Sequence, residues 1–385
     1  MKKKIAVILT TMQVGGTEKV LIEMLNAIDY NSYDVDLWLM GKGPFDYLIH
    51  PSVHVRYWKN AGTKELITGW FARGNIWHLF KSIGYLLMAR IHVRDWVRNG
   101  IYTAKAQIPY DEKYDCVIAY QGLSPLVVAT ALYRFNAPKK ISWLHGRDGF
   151  QKSHIRIIEK EYGKLDRIFC VSNALKKEFS SKVRKLEHIT DIFYNLLDPK
   201  EIQAKAMEPI AENLLSDSLV TVGRLSKEKG QDMVPKAVRI LLDSGYDIYW
   251  YLVGDGALRD KIEKECRKYD VCGRVILLGT RHNPYPYMKK CTIYVQTSLT
   301  EGYCTTTMEA KILHKPIVVT DAPGMREQFK SGENGLIVDA ITSEALAEGI
   351  KTLLDHPEMR QKFQENLRGE SADNHEELQK LYALI

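Results

Sequence analysis

Two carboxylates eight positions apart, Glu301 and Glu309, bracket the loop Gly302-Tyr303-Cys304-Thr305. The loop follows an apolar strand candidate, Thr292–Gln296, and leads into a helix candidate, Met308–Leu313. A glycine-containing loop that enters a helix N-terminus offers unpaired backbone N–H groups and the positive end of the helix dipole, which suits phosphate. Carboxylates beside it can accept hydrogen bonds from sugar hydroxyls. A local reading of Glu309 stands beside this one, because Thr306-x-x-Glu309 has the spacing of a capping box. A second cluster, Gly223-Arg224-Leu225-Ser226-Lys227-Glu228-Lys229-Gly230, comes directly after another strand candidate. Arg224 offers a planar fork and Lys229 a compact charge, a pair suited to clamping a diphosphate and to spreading leaving-group charge. Four of these eight residues are charged, so a solvated loop is the competing reading.

Two further clusters sit at strand ends. Val14-Gly15-Gly16-Thr17 follows the first apolar run, and its glycines would let backbone approach a ligand closely. His145 closes the run Ile141–Leu144 and precedes Gly146-Arg147-Asp148-Gly149; it is either a cleft histidine or a structural loop residue. Neither the GxGxxG dinucleotide fingerprint nor a GxxxxGK[ST] loop occurs; Gly254-Asp255-Gly256 comes nearest, with Arg at 259. Asp34-x-Asp36 has the form of a metal-binding pair, but alternating polarity at a strand start predicts two solvated carboxylates and no metal.

The elements that must hold these residues alternate. Strand candidates are Lys4–Thr10, Asp34–Met40, Cys116–Tyr120, Ile141–His145, Arg167–Val171 and Ile189–Tyr194, then Leu219–Gly223, Tyr249–Val253, Val275–Leu278, Thr292–Gln296, Pro316–Val319 and Leu336–Val338. Helical patterns lie between them, at Thr17–Ile28, Gln231–Ser244, Leu258–Tyr269, Ser343–Leu354 and Glu358–Arg368 among others. Alternation implies βαβ units, and continuous β-branched runs imply parallel strands buried on both faces. The pattern restarts near Leu219, after the polar stretch Asp198–Ser218, which reads as a linker. The expected fold is therefore α/β, with two Rossmann-like doubly wound domains facing across a cleft; ligands bind beyond the strand carboxyl ends in such sheets.

Composition is that of a soluble globular chain: 45% hydrophobic and 26% charged over 385 residues. No apolar run reaches the roughly 20 residues of a membrane-spanning helix, and Lys2–Lys4 followed by Ile5–Leu9 reads as a basic lead into a buried strand. Six cysteines without a CxxC pair read as reduced thiols, consistent with a cytoplasmic setting.

In combination, these motifs resemble the retaining glycosyltransferases of GT-B architecture, family 4. The resemblance rests on Gly15-Gly16 after the first strand, Gly223-Arg224 with Lys229-Gly230, Glu301-x7-Glu309, Lys315–Asp321 and Gly332–Leu336, in that order. It implies an N-terminal acceptor-side domain (1–205), a C-terminal nucleotide-sugar domain (206–370) and a terminal segment (371–385) returning to the first. It also implies transfer of a hexose from a nucleotide diphosphate sugar, a UDP-sugar by family habit, to a glycan or lipid-linked acceptor in polysaccharide or cell-envelope assembly, without a metal or other cofactor. By the same resemblance His145 and Glu301 face the donor sugar, and Gly15, Gly16, Arg224 and Lys229 meet the diphosphate. Backbone of Gly302, Tyr303, Cys304 and Thr305 cradles phosphate and sugar, Glu309 binds the ribose, and backbone near Arg281 meets the base. Cys304 departs from the glycine common in the family, and Thr305–Thr307 from aliphatic residues; both departures bear on donor identity.

Charge is uneven. From Arg56 to Lys105 the chain carries nine Lys/Arg against Glu65 and Asp95, a local excess equal to the +7 of the whole chain. Within Gly69–Tyr102 the cations interleave with Trp70, Phe71, Trp77, Phe80, Leu86, Leu87, Ile91 and Trp96. Two readings stand: an amphipathic surface that places the protein peripherally on an anionic membrane face, or ordinary helices whose apolar face is core. No RRM, KH or helix-turn-helix signature supports nucleic acid as the partner. A non-catalytic nucleotide-sugar binder and a sugar-nucleotide epimerase on the same fold are the remaining alternatives.

Overall fold

Both sheets are parallel throughout, and their central strands are continuous apolar runs buried on both faces. The computed structural model describes residues 1–385 except Val14, Asp148, Asn213, Ser216 and Ala372, so Val14 of the glycine motif and Asp148 of the His145 loop lie outside the described residues. The chain forms two compact units, residues 1–196 with 375–385, and residues 197–374.

The first unit has strands β1 (Lys3–Ile8), β2 (Tyr33–Leu39), β3 (Val53–Tyr57), β4 (Cys116–Ala119), β5 (Lys139–Leu144), β6 (Arg167–Cys170) and β7 (Thr190–Ile192). Their order is β3-β2-β1-β4-β5-β6-β7. Its helices are α1 (Gly16–Ala27), α2 (Thr63–Ala72), α3 (Ile76–Ile91), α4 (Trp96–Ala106), α5 (Pro125–Arg134), α6 (Ile155–Tyr162) and α7 (Asn173–Lys182). The second unit has β8 (Ser218–Val222), β9 (Tyr249–Val253), β10 (Val275–Gly279), β11 (Ile293–Gln296), β12 (Ile317–Thr320) and β13 (Leu336–Val338), ordered β10-β9-β8-β11-β12-β13. Its helices are α8 (Pro199–Lys205), α9 (Val234–Asp243), α10 (Arg259–Lys268), α11 (Tyr285–Lys290), α12 (Thr305–Ile312), α13 (Met325–Gln328), α14 (Ser343–Asp355) and α15 (Pro357–Gly369). A last helix, α16 (Leu378–Tyr382), belongs to the first unit.

In both sheets the first strand of the unit lies between the second and the fourth, so the order of strand addition reverses there and a crevice opens at the carboxyl ends. In the second unit period-two alternation feeds two cores. Val220, Val222, Tyr251 and Val253 pack on one face, and Leu219, Trp250, Leu252 and Val295 on the other.

Three expectations change. β3 was not anticipated: it pairs with β2 alone and keeps His54, Val55 and Tyr57 exposed, so it lacks a continuous apolar run. The stretch read as a linker from Asp198 begins with α8, capped by Asp198 accepting from Lys200 and Glu201 N–H with Pro199 at the first helical position. α8 packs on α11 and α12, so the second unit starts at Leu197 rather than at 206. Asp36 is not a solvated carboxylate. It is fully buried, with Arg56 Nε at 2.8 Å, Lys4 Nζ at 3.3 Å and the Tyr114 hydroxyl donating at 2.7 Å. Asp34, by contrast, remains half-exposed near Lys2.

The terminal segment is tied into the first unit. The Tyr382 ring stacks on Tyr33 at 4.8 Å, Glu377 accepts from the Tyr194 N–H at 3.0 Å, and Lys3 Nζ donates to the Ile385 carbonyl at 2.6 Å.

Candidate active site

The loops after β8 and β11, neighbours at the crevice of the second sheet, bring two of the sequence clusters together. Lys229 Nζ donates to Glu301 Oε1 at 2.6 Å across 72 positions of chain. The loops are also joined by backbone: Leu299 N–H donates to the Glu228 carbonyl at 2.8 Å, and Thr297 Oγ1 to the Lys229 carbonyl at 2.7 Å. Gly230 makes this approach feasible. Its φ is +66°, and a Cβ there would lie 2.3 Å from the Thr297 carbonyl oxygen.

Glu301 is oriented from behind by a polar chain that sequence reasoning missed. Thr306 Oγ1 donates to Gln296 Oε1 at 3.1 Å, Gln296 Nε2 to Ser298 Oγ at 2.8 Å, and Ser298 Oγ to Glu301 Oε1. Gln296 and Ser298 are wholly buried. Oε1 thus receives both the lysine and the serine, and Oε2 lies outside both bonds. A hint was present in the sequence: Gln296-Thr297-Ser298 puts three polar residues at the carboxyl end of an apolar strand.

Burial opposes the Lys229 ammonium, yet its pKa stands above the ordinary lysine value because Cys304 and Glu301 adjoin it. Burial pushes the Cys304 thiol up to about 11, so it is neutral at pH 7. Arg224, in the same loop, is exposed and pairs with Glu228 at 3.1 Å; its carbonyl accepts from Gln231 Nε2 at 2.9 Å. The pair thus presents one enclosed and one solvent-facing cation.

The loop Gly302-Tyr303-Cys304 enters α12, which starts at Thr305 with Cys304 as N-cap and no side-chain cap. The capping-box reading of Glu309 therefore fails. Thr306 lies inside the helix and bonds Gln296, while Thr307 Oγ1 donates to Gln328 Oε1 at 2.6 Å. Glu309 is one turn further in and has no exposed surface. Arg281 lies beyond β10, where its Nε donates to the Tyr287 hydroxyl at 3.1 Å and its guanidinium pairs with Glu212. A cavity of about 400 Å³ lined by Tyr303, Met308, Lys311, Gln328 and Arg368 includes none of Arg224, Lys229 and Glu301.

In the first unit the crevice lies between β1 and β4. Thr10 N–H and Oγ1 both donate to Gln121 Oε1 at 3.0 Å, which ties the loop after β1 to that after β4. Gly15, extended, caps α1, and Gly16 opens it. His145 follows β5, its ring 4.4 Å from that of Tyr120. Burial lowers its pKa to about 3 against a hydrogen bond with the Tyr120 backbone, so the imidazole is neutral at pH 7. Nε2 makes no hydrogen bond among the described residues. By elimination Nδ1–H donates to the Tyr120 carbonyl and Nε2 is an acceptor.

A histidine whose folded pKa is depressed favours the fold above the unfolded pKa, near 6.5, and loses that contribution as pH falls toward the folded value. Wild type is therefore expected to lose melting temperature between pH 6.5 and 4 more steeply than His145→Gln. Parallel thermal melts across that range check it; superimposable curves would contradict the neutral, enclosed imidazole.

Two parallel doubly wound units with this crevice chemistry define a protein of the GT-B fold. Residues 203–370, nearly all of the second unit, match the model of the glycosyl transferases group 1 family. HepE of Anabaena, solved with UDP and glucose, is similar in structure at TM-score 0.73 and 20% identity, covering 99% of this chain and 98% of HepE. In sequence, the chain is 32% identical over 190 residues to N-acetylgalactosamine-N,N'-diacetylbacillosaminyl-diphospho-undecaprenol 4-alpha-N-acetylgalactosaminyltransferase of Campylobacter jejuni, covering 49% of this chain and 50% of that protein. It is 23% identical over 377 residues to an uncharacterized glycosyltransferase of Haemophilus influenzae, covering 97% and 96%. The chain spans about half the length of the first curated relatives it matches.

Proposed function

We propose that the protein is a retaining hexosyltransferase that moves a sugar from a nucleotide diphosphate donor, a UDP-sugar, to a glycan or lipid-linked acceptor in polysaccharide or cell-envelope synthesis. The observation that carries the reading is the Lys229–Glu301 pair at the β8–β11 crevice, with Arg224 beside it and the start of α12 next in the chain. HepE complexes with UDP and with UDP-glucose support the donor class, and the diphospho-undecaprenol in the Campylobacter protein's name supports a lipid-linked acceptor.

In this reading the bond between the anomeric carbon and the donor phosphate oxygen breaks. The acceptor hydroxyl oxygen bonds to the same face of that carbon, and its proton passes to the departing phosphate. Lys229 and Arg224 stabilise the charge growing on the leaving diphosphate, which is the main electrostatic demand of the step. Glu301 and neutral His145 position donor hydroxyls, Gly302–Thr305 backbone cradles phosphate and sugar, and Glu309 takes the ribose. Gly15 and Gly16 lie against diphosphate and acceptor, and backbone near Arg281 meets the base. No step calls for a metal.

Thermal melts with UDP-, GDP- and ADP-sugars test the donor. Because ligand binding raises stability in proportion to RT ln(1 + [L]/Kd), a UDP-sugar is expected to raise the melting temperature most. NMR of the transferred product should then show the donor's anomeric configuration. A chain that no nucleotide sugar stabilises would end this reading, and donor turnover without acceptor would mark an epimerase.

A further inference from the structure

Helix α3 is built inside out. Its inward side rests on α2 and α4 through small and polar groups: Ser82 accepts from Trp70 Nε1 at 2.8 Å, and the Ala89 carbonyl accepts from Asn99 Nδ2 at 2.9 Å. Its outward side carries Trp77 (75% exposed), Phe80 (62%), Leu87 (54%) and Ile91 (72%), spaced so that they fall in one stripe. Phe71, on the preceding helix, is 79% exposed. Soluble surfaces scatter such residues singly, and a contiguous set marks something that covers it.

The charge around the stripe says what that is. From Leu66 to Arg94 there is no Asp or Glu. Lys81, Arg90 and Arg94 sit on or just after α3 and make no ion pair among the described residues. An apolar stripe ringed by unpaired cations matches a bilayer surface, where acyl chains take the aromatic and aliphatic side chains and anionic headgroups take the cations. A second copy of this chain would bring cation against cation. Among the described residues no helix is long and apolar enough to cross a membrane, so the contact is interfacial.

The geometry points to α3 as a membrane-docking helix that lies in the plane of an anionic bilayer, with Trp77, Phe80, Leu87 and Ile91 immersed. Arg98 belongs to the protein's own structure, bonded to Asp95 and to the Ser153 carbonyl, so it is not among the lipid-facing cations.

Vesicle cosedimentation of the full chain, without donor, tests the inference independently of the sugar chemistry. Vesicles of phosphatidylglycerol with phosphatidylcholine are compared with phosphatidylcholine alone. Wild type is expected to pellet with the anionic vesicles only. Trp77→Ser/Phe80→Ser/Ile91→Ser and Lys81→Glu/Arg90→Glu/Arg94→Glu are each expected to weaken partitioning at least ~tenfold. All these residues are exposed, so both variants should keep the wild-type melting temperature, which is measured alongside. Wild type left in the supernatant, equal binding to neutral vesicles, or variants that bind like wild type would each overturn the assignment. So would sedimentation velocity showing a dimer that the apolar variant dissociates, because the stripe would then be a self-association face.

Discussion

Lys229→Met should lower the rate of sugar transfer by about two to three orders of magnitude, the scale on which one preorganised electrostatic group acts on developing charge. The substitution removes the enclosed cation and leaves Glu301 held by Ser298 alone. Breaking a buried pair from one side costs about 3–5 kcal/mol when both partners are fully enclosed. Here the side chains keep 21% and 10% exposure, so the stability loss should be smaller. A double variant separates the two effects. Lys229→Met/Glu301→Gln leaves no unpaired charge and should regain most of the melting temperature while transfer stays lost. Transfer that returned with stability would make the pair a structural bridge between two loops, without a part in the reaction.

Asp36→Ala should cost the first unit about 1–3 kcal/mol, because it takes a buried carboxylate from the Tyr114 hydroxyl and from two cations that are themselves about a third exposed. Its side chain is 1% exposed, and Lys4, Arg56 and Tyr114 all converge on it. Burial also screens the network from salt, so the loss should persist at high ionic strength. Chemical denaturation of both proteins at low and high salt reads both points. A loss below about 1 kcal/mol, or one that salt abolishes, would place Asp36 among ordinary surface pairs.

The parallel strands were legible because burial on both faces makes each one a continuous apolar run, as in Ile5-Ala6-Val7-Ile8. β3 escaped for the converse reason, being an edge strand with exposed His54 and Tyr57. α8 opens with Asp198-Pro199, a pair that marks a helix start as readily as a linker. At the site, residue types and loop positions were readable, but their meeting was not. Lys229 and Glu301 approach only because β8 and β11 are sheet neighbours, and no local pattern encodes that adjacency. The same holds for Asp36, whose partners come from β1, β3 and the loop before β4. Thr306 and Glu309 have capping-box spacing, yet the helix begins at Thr305 and the hydroxyl turns to Gln296 instead.

Residues 375–385 complete the first unit although 197–374 intervene. During synthesis the ribosome therefore delivers the whole second unit before the partner of Tyr33 and of the Tyr194 amide exists. The earlier-translated half must wait in an unfinished form while the later-translated half, contiguous in the chain, can mature ahead of it. Closure of the first unit is thus the last folding event that the order of the chain allows.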